Sequence, residues 1–189
     1  MDEIVFSKNT VEFVTVGVEY CSFIERASSS TRAAFTDTAV KILPLLYLKA
    51  VLLDPEENEL TGLPEKFVTE EIYEYVRGAV ERLLGEGDTY LETFHDDMEF
   101  SEEPVAASVS EDLADIYQNI KDFVSVYSLG NPETMREALT ECRQNFVSYW
   151  GQKLVNALGA LHRLRFSSVQ EDASEEEESL SPESSQDNW

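Results

Sequence analysis

From Met135 onward the chain steps by three or four residues through Leu139, Cys142, Phe146, Trp150, Leu154, Leu158 and Leu161 to Arg165. Only an α-helix, turning once every ~3.6 residues, puts such positions on one side. The spacing predicts a helix from Pro132 to about Arg165, with a core along one face over about 30 residues. A chain built around such a face packs against other helices, so the expected class is all-α. Gly151 and Gly159 interrupt it, and because glycine weakens a helix by ~1 kcal/mol both are read as places where another backbone approaches closely.

The rest of the first 170 residues also reads as helix. Between Asn9 and about Ala27, apolar residues recur at Val11, Val14, Val18 and Cys21, with a second row at Phe13, Val16, Tyr20 and Phe23. The β-branched run Val14 to Glu19 alternates as well, so a strand at 11–18 is the alternative. Residues 30–53 contain Ile42 to Leu53, apolar on every side except at Lys49, the pattern of a central core helix; Pro44 removes a hydrogen bond there and predicts a kink or a split. Thr61-Gly62-Leu63-Pro64 marks a loop. Thr69 is a candidate N-cap with Glu70 and Glu71 in the first turn, and Ile72, Tyr73, Val76, Val80, Leu83 and Leu84 form the face that follows. After Gly85-Glu86-Gly87-Asp88 comes a polar, acidic connection over about 94–107. Ser108 and Glu111 have capping-box spacing ahead of the stripe Leu113, Ile116, Tyr117, Ile120, Phe123, Val124 and Tyr127. Gly130 stops that helix, Asn131 caps the next and Pro132 takes its first position. Nothing after Ala27 alternates as a strand does.

Charge narrows the partners. There are 38 acidic residues against 14 basic ones, a net charge of −24. Such a field repels phosphate backbones and anionic bilayers, which argues against nucleic acid and membranes; it favours basic proteins, polyamines or metal cations, and the plainer reading is that it keeps the protein soluble. Eight of the acids lie in 171–189, a segment with no base and few apolar residues, so a disordered acidic tail is expected there, beyond one helical domain over 1–170 that still carries −16. Acid at Asp2 and Glu3 is unlike a secretory leader, and a cytoplasmic address is expected. Cys21 and Cys142 have no Cys-x-x-Cys spacing and read as buried small hydrophobes.

Few side-chain patterns carry chemistry. Glu92-Thr93-Phe94-His95 has the Glu-x-x-His spacing of di-iron bundles, but His162 has Gly159 where a second copy needs glutamate. His95-Asp96 resembles the doublet of HD phosphohydrolases, a family that needs a further upstream histidine; with Asp97 and Glu99 it reads as a solvated acidic loop. Glu70, Glu71 and Glu74 form a Glu-Glu-x-x-Glu resembling half the magnesium site of MazG-like nucleotide pyrophosphohydrolases. Carboxylates at those offsets share one side of a helix, and Asp112 and Asp115 are the nearest substitute for the other half. Lys153, His162, Arg163 and Arg165 gather toward the end of the last helix, where cations complement its dipole. No phosphate-binding glycine loop, nucleophile motif or cofactor motif occurs.

The runs Phe94-His95-Asp96-Asp97-Met98, Glu103-Pro104-Val105-Ala106-Ala107, Ser110 to Gln118 and Asn145 to Leu154 resemble a bacterial family named domain of unknown function 5063. The resemblance implies a bacterial, cytoplasmic, helical protein and carries no activity, cofactor or catalytic residue. The expectation is a single all-α bundle of about five helices, with a kinked apolar central helix, a long C-terminal helix and the acidic tail. Functionally it is a noncatalytic interaction module, an adaptor or regulator of a basic protein. The alternative is the Mg²⁺-dependent nucleotide hydrolase using Glu70, Glu71, Glu74, Asp112 and Asp115.

Overall fold

The computed structural model describes residues 4–53, 62, 64–92 and 105–179, with side chains through Ser167. The acidic tail expected over 171–189 therefore lies outside the described side chains, and His95, Asp96, Asp97 and Glu99 lie outside the described residues. The helices are α1 (Lys8–Glu25), α2 (Arg32–Val51), α3 (Glu70–Leu84), α4 (Val109–Ser128), α5 (Pro132–Asn145) and α6 (Gly151–Ser179).

Their starts follow from local chemistry. Ser7, Thr31, Thr69 and Ser108 each accept a hydrogen bond from the backbone N–H three residues on, and Asn131 accepts from Glu133 and Thr134 with Pro132 behind it. Gly130, at φ +75°, supplies the left-handed turn that separates α4 from α5. Residues 11–18 are helical, so the strand alternative for that stretch is set aside.

Helix α4 is the centre: α1, α3, α5 and α6 all pack on it, while α2 packs against α1 and α6. The stripe from Leu113 to Tyr127 is buried or half-buried throughout. Tyr20 of α1 donates its hydroxyl to the Leu113 carbonyl at 2.8 Å, a buried bond that fixes α1 against the first turns of α4. Asp122 of α4 accepts from the Phe67 and Val68 amides at 2.7 and 2.9 Å, which holds the segment leading into α3.

Three expectations change. A two-stranded antiparallel ladder, β1 (Thr89–Leu91) with β2 (Ala106–Ser108), follows α3 and precedes α4. It is three residues long on each side, too short for an alternation to be read. Asp88 secures it by accepting from the Ser110 amide at 2.7 Å and from the Ser108 and Ser110 hydroxyls. The central helix α2 runs through Pro44 without splitting, and it is not buried all round, since Leu45, Tyr47, Leu48, Val51 and Leu52 are exposed while Leu43, Leu46 and Ala50 are not.

The third change is in the last helix, which is broken by a π turn at Phe146–Trp150 between α5 and α6. There the Gly151 amide reaches back to the Phe146 carbonyl, five residues earlier. A Cβ at Gly151 would lie 2.5 Å from that oxygen and 3.0 Å from the Phe146 ring, so the close backbone foreseen at this glycine is the chain's own preceding turn. Among the described residues nothing lies within 4 Å of a Cβ at Gly159, and the close approach expected there is not found among them. Accordingly Gly159→Ala should stabilise the protein by about 0.5–1 kcal/mol, and Gly151→Ala should destabilise it by about 1–3 kcal/mol. Urea unfolding of the two variants checks this; equal effects would mean that the π turn relaxes without cost.

Candidate functional site

Four segments, β1, α3, the π turn and α6, converge on two aspartates in the first two turns of α4. Asp112 is 2% exposed. It accepts from the Tyr90 hydroxyl of β1 on one oxygen and from Lys153 Nζ of α6, at 3.2 Å, on the other. Asp115, one turn on, accepts from the same Nζ at 3.0 Å, from Tyr73 of α3 at 2.9 Å and from Tyr149 of the π turn at 2.7 Å. The Tyr149 ring lies 5.3 Å from Nζ, so an aromatic face and two carboxylates enclose one ammonium. Beside them Gln152 donates to Asn156, and Asn156 donates to Glu92 at 3.3 Å.

The electrostatics follow from burial. Desolvation pushes the Asp112 carboxyl up to about 6, against the opposing pull of Tyr90 and Lys153. Desolvation would pull the Lys153 ammonium down, but the bond to Asp115 and the charges of Asp112 and Asp115 outweigh it and hold Lys153 above the ordinary lysine range. Burial, then the bond to Asp115, pushes the Tyr149 hydroxyl up to about 12. Lys153 thus stays a cation and the tyrosines stay donors at neutral pH, which makes the cluster a closed polar clasp rather than a source of a nucleophile. Asp112 is the member poised to exchange a proton near neutrality.

Its linkage can be measured. The Asp112 carboxyl sits above its ordinary value of 3.8, so the folded chain holds that proton more tightly than the unfolded chain. The resulting stabilisation is complete below pH 3.8 and is lost as pH rises to about 6. The stability of wild type minus that of Asp112→Asn should therefore fall by on the order of 2 kcal/mol between pH 4 and pH 7. Urea titrations across that range test it, and a pH-independent difference would deny the buried ionisation.

The proposed magnesium residues are divided by this geometry. Glu70, Glu71 and Glu74 are exposed on α3, and Glu74 pairs with Arg77 at 2.9 Å. From α3 it is Tyr73 that reaches Asp115, and Asp112 and Asp115 share Lys153. Among the described residues no three His, Cys, Asp or Glu side chains converge as a metal centre requires. The basic group at the end of the chain is divided as well. Lys153 stands near the start of α6, Arg165 pairs with Asp37 at 3.2 Å, His162 packs its ring 4.8 Å from Phe166, and Arg163 is exposed. The helix dipole therefore does not account for Lys153. Cys21 and Cys142 are free and buried; burial raises both thiols, Cys21 to about 12, which leaves neither reactive.

Tyr73, Tyr90 and Tyr149 are not identifiable as site residues from spacing. Lys153 is: it follows Trp150 by three residues and precedes Ala157 by four, both fully buried, and a cation on a core face demands a buried anion.

No helix among the described residues is long and apolar enough to cross a membrane. No curated protein matches the chain. Among solved structures it is similar to protein BF1032 from Bacteroides fragilis, with 49% identity over 87% of this chain and 96% of that one and a TM-score of 0.75. The match to the family described as a domain of unknown function runs from residue 4 to residue 167, spanning α1 through most of the described part of α6, and on that match the chain belongs to the DUF5063 family.

Proposed function

We propose that this chain is a noncatalytic interaction module, an adaptor or regulator that binds a basic protein. The observation that supports this reading best is the outward side of α2, where Leu45, Leu48, Val51 and Leu52 stand exposed within two turns on a protein of net charge −24. Contiguous apolar surface on so acidic a chain supports contact with another macromolecule. The surrounding charge selects a cationic partner and speeds its encounter, and an acidic tail past Gln170 adds to that steering. The hydrolase alternative needs Asp112 and Asp115 free to share a cation with Glu70, Glu71 and Glu74, whereas Lys153 already bridges that pair.

Retention of partners on the full chain from its native cell, identified by mass spectrometry, tests the reading. A basic protein bound stoichiometrically, with association that slows as salt rises, is the expected result. Turnover of nucleoside triphosphates with Mg²⁺, or a melting shift with them, would replace it with the hydrolase.

A further inference from the structure

We propose that the outer groove between α1 and α2 seats an amphipathic helix of the partner, its apolar anchors on α2 and its cations toward α1. The inference rests on the interaction-module reading and gives it a surface and a partner class.

The two helices run antiparallel. Asn9 of α1 donates to the Leu52 carbonyl at 3.1 Å, Glu12 pairs with Lys49 at 2.7 Å, and at the far end the Phe23 ring stacks on Phe35 at 4.6 Å. Along that seam Thr38, Ile42, Leu45, Lys49 and Leu52 follow one another at steps of four and three, with Leu48 beside them. Lys49 spends its charge on Glu12, so the apolar line is continuous past it. Toward the start of α2 the seam opens into a cavity of about 250 Å³ lined by Glu19, Phe23, Arg26, Ala34, Thr38 and Ile42. Leu45 is 43% and Leu48 52% exposed, in a helix whose opposite side, at Leu43, Leu46 and Ala50, is sealed.

A groove floored by one helix and rimmed by another is the geometry that receives a helix presenting anchors at i, i+3 and i+7. The occupant follows from charge. A second copy would bring another −24 against this chain, and an anionic bilayer is repelled for the same reason. Glu19 stands exposed on the α1 rim, beside the cavity, where a lysine or arginine of an incoming helix meets it, while Arg26 at the other lip is drawn back onto the Ser22 carbonyl of its own helix at 3.0 Å. A helix with leucine-like anchors and a cationic rim satisfies both features.

The test uses the full chain and a display library of 18-residue helical peptides with randomised anchor and rim positions. Lys- or Arg-rimmed peptides with apolar anchors should be enriched. In fluorescence anisotropy their affinity should fall by about tenfold or more in Leu45→Gln/Leu48→Gln, whose changes lie on exposed side chains and leave the circular dichroism unaltered. Glu19→Gln should weaken only the Lys- and Arg-rimmed peptides. No enrichment over the double variant, equal enrichment of Glu-rimmed peptides, or a dimer that the double variant dissolves would each overturn the proposal. A native partner that still binds Leu45→Gln/Leu48→Gln with full affinity would remove this surface and leave the interaction-module reading standing.

Discussion

Replacing Lys153 by methionine should destabilise the folded chain by about 2–4 kcal/mol at pH 8, and by clearly less at pH 5. Methionine keeps most of the stem that packs beside Tyr149 but leaves Asp112 and Asp115 without their shared cation, 3.2 and 3.0 Å from where it stood. Two neighbouring carboxylates in a largely buried site repel each other and are costly to ionise, so the loss is greatest where both are charged. At pH 5 Asp112, already pushed up to about 6 by burial, meets the loss of Lys153 by holding its proton. Adding Asp112→Asn to Lys153→Met should recover part of the stability at pH 8, because one of the two stranded charges is gone. Urea unfolding of the four proteins at both pH values decides the matter. A single-variant loss below about 1 kcal/mol at pH 8 would mean that water, not Lys153, neutralises the pair.

The helix starts were legible because each is decided within a few residues. Ser108, Thr69 and Asn131-Pro132 cap what they were expected to cap, since a side-chain oxygen three residues before an orphan amide needs no tertiary context. Periodicity carried the bundle for the same reason. It failed where a face is apolar on all sides: α2 offers Leu43, Leu45, Leu46 and Leu48 alike, and only the positions of α1 and α6 decide which are covered. The π turn was hidden because adding one residue to a turn hardly disturbs a step of three or four. Of the candidate site, Asp112 and Asp115 were singled out through their spacing and grouped with Glu70, Glu71 and Glu74, while the structure joins them to Lys153. Spacing speaks only along one helix, and the Lys153 that completes them arrives from another segment 41 residues later.

The adjacent positions on α2 supply the other large effect. Leu46 is fully buried, so Leu46→Ala should cost about 2–5 kcal/mol, the transfer of its methyl groups plus the cavity they leave. Leu48→Ala, on the exposed side, should change stability by no more than about 0.5 kcal/mol. Both substitutions remove the same atoms from the same helix, and alanine raises helix propensity equally at both, so the difference isolates burial. Thermal or urea unfolding of the two variants reads it directly. A Leu46→Ala loss under about 1 kcal/mol would make α2 peripheral and move the core toward α4 alone. A Leu48→Ala loss as large as that of Leu46→Ala would have the opposite meaning: α2 is covered on both sides in solution, and the surface proposed for the partner helix is already taken by this chain or by a second copy. Only the unequal pair leaves an apolar face that is stable without a partner and available to one.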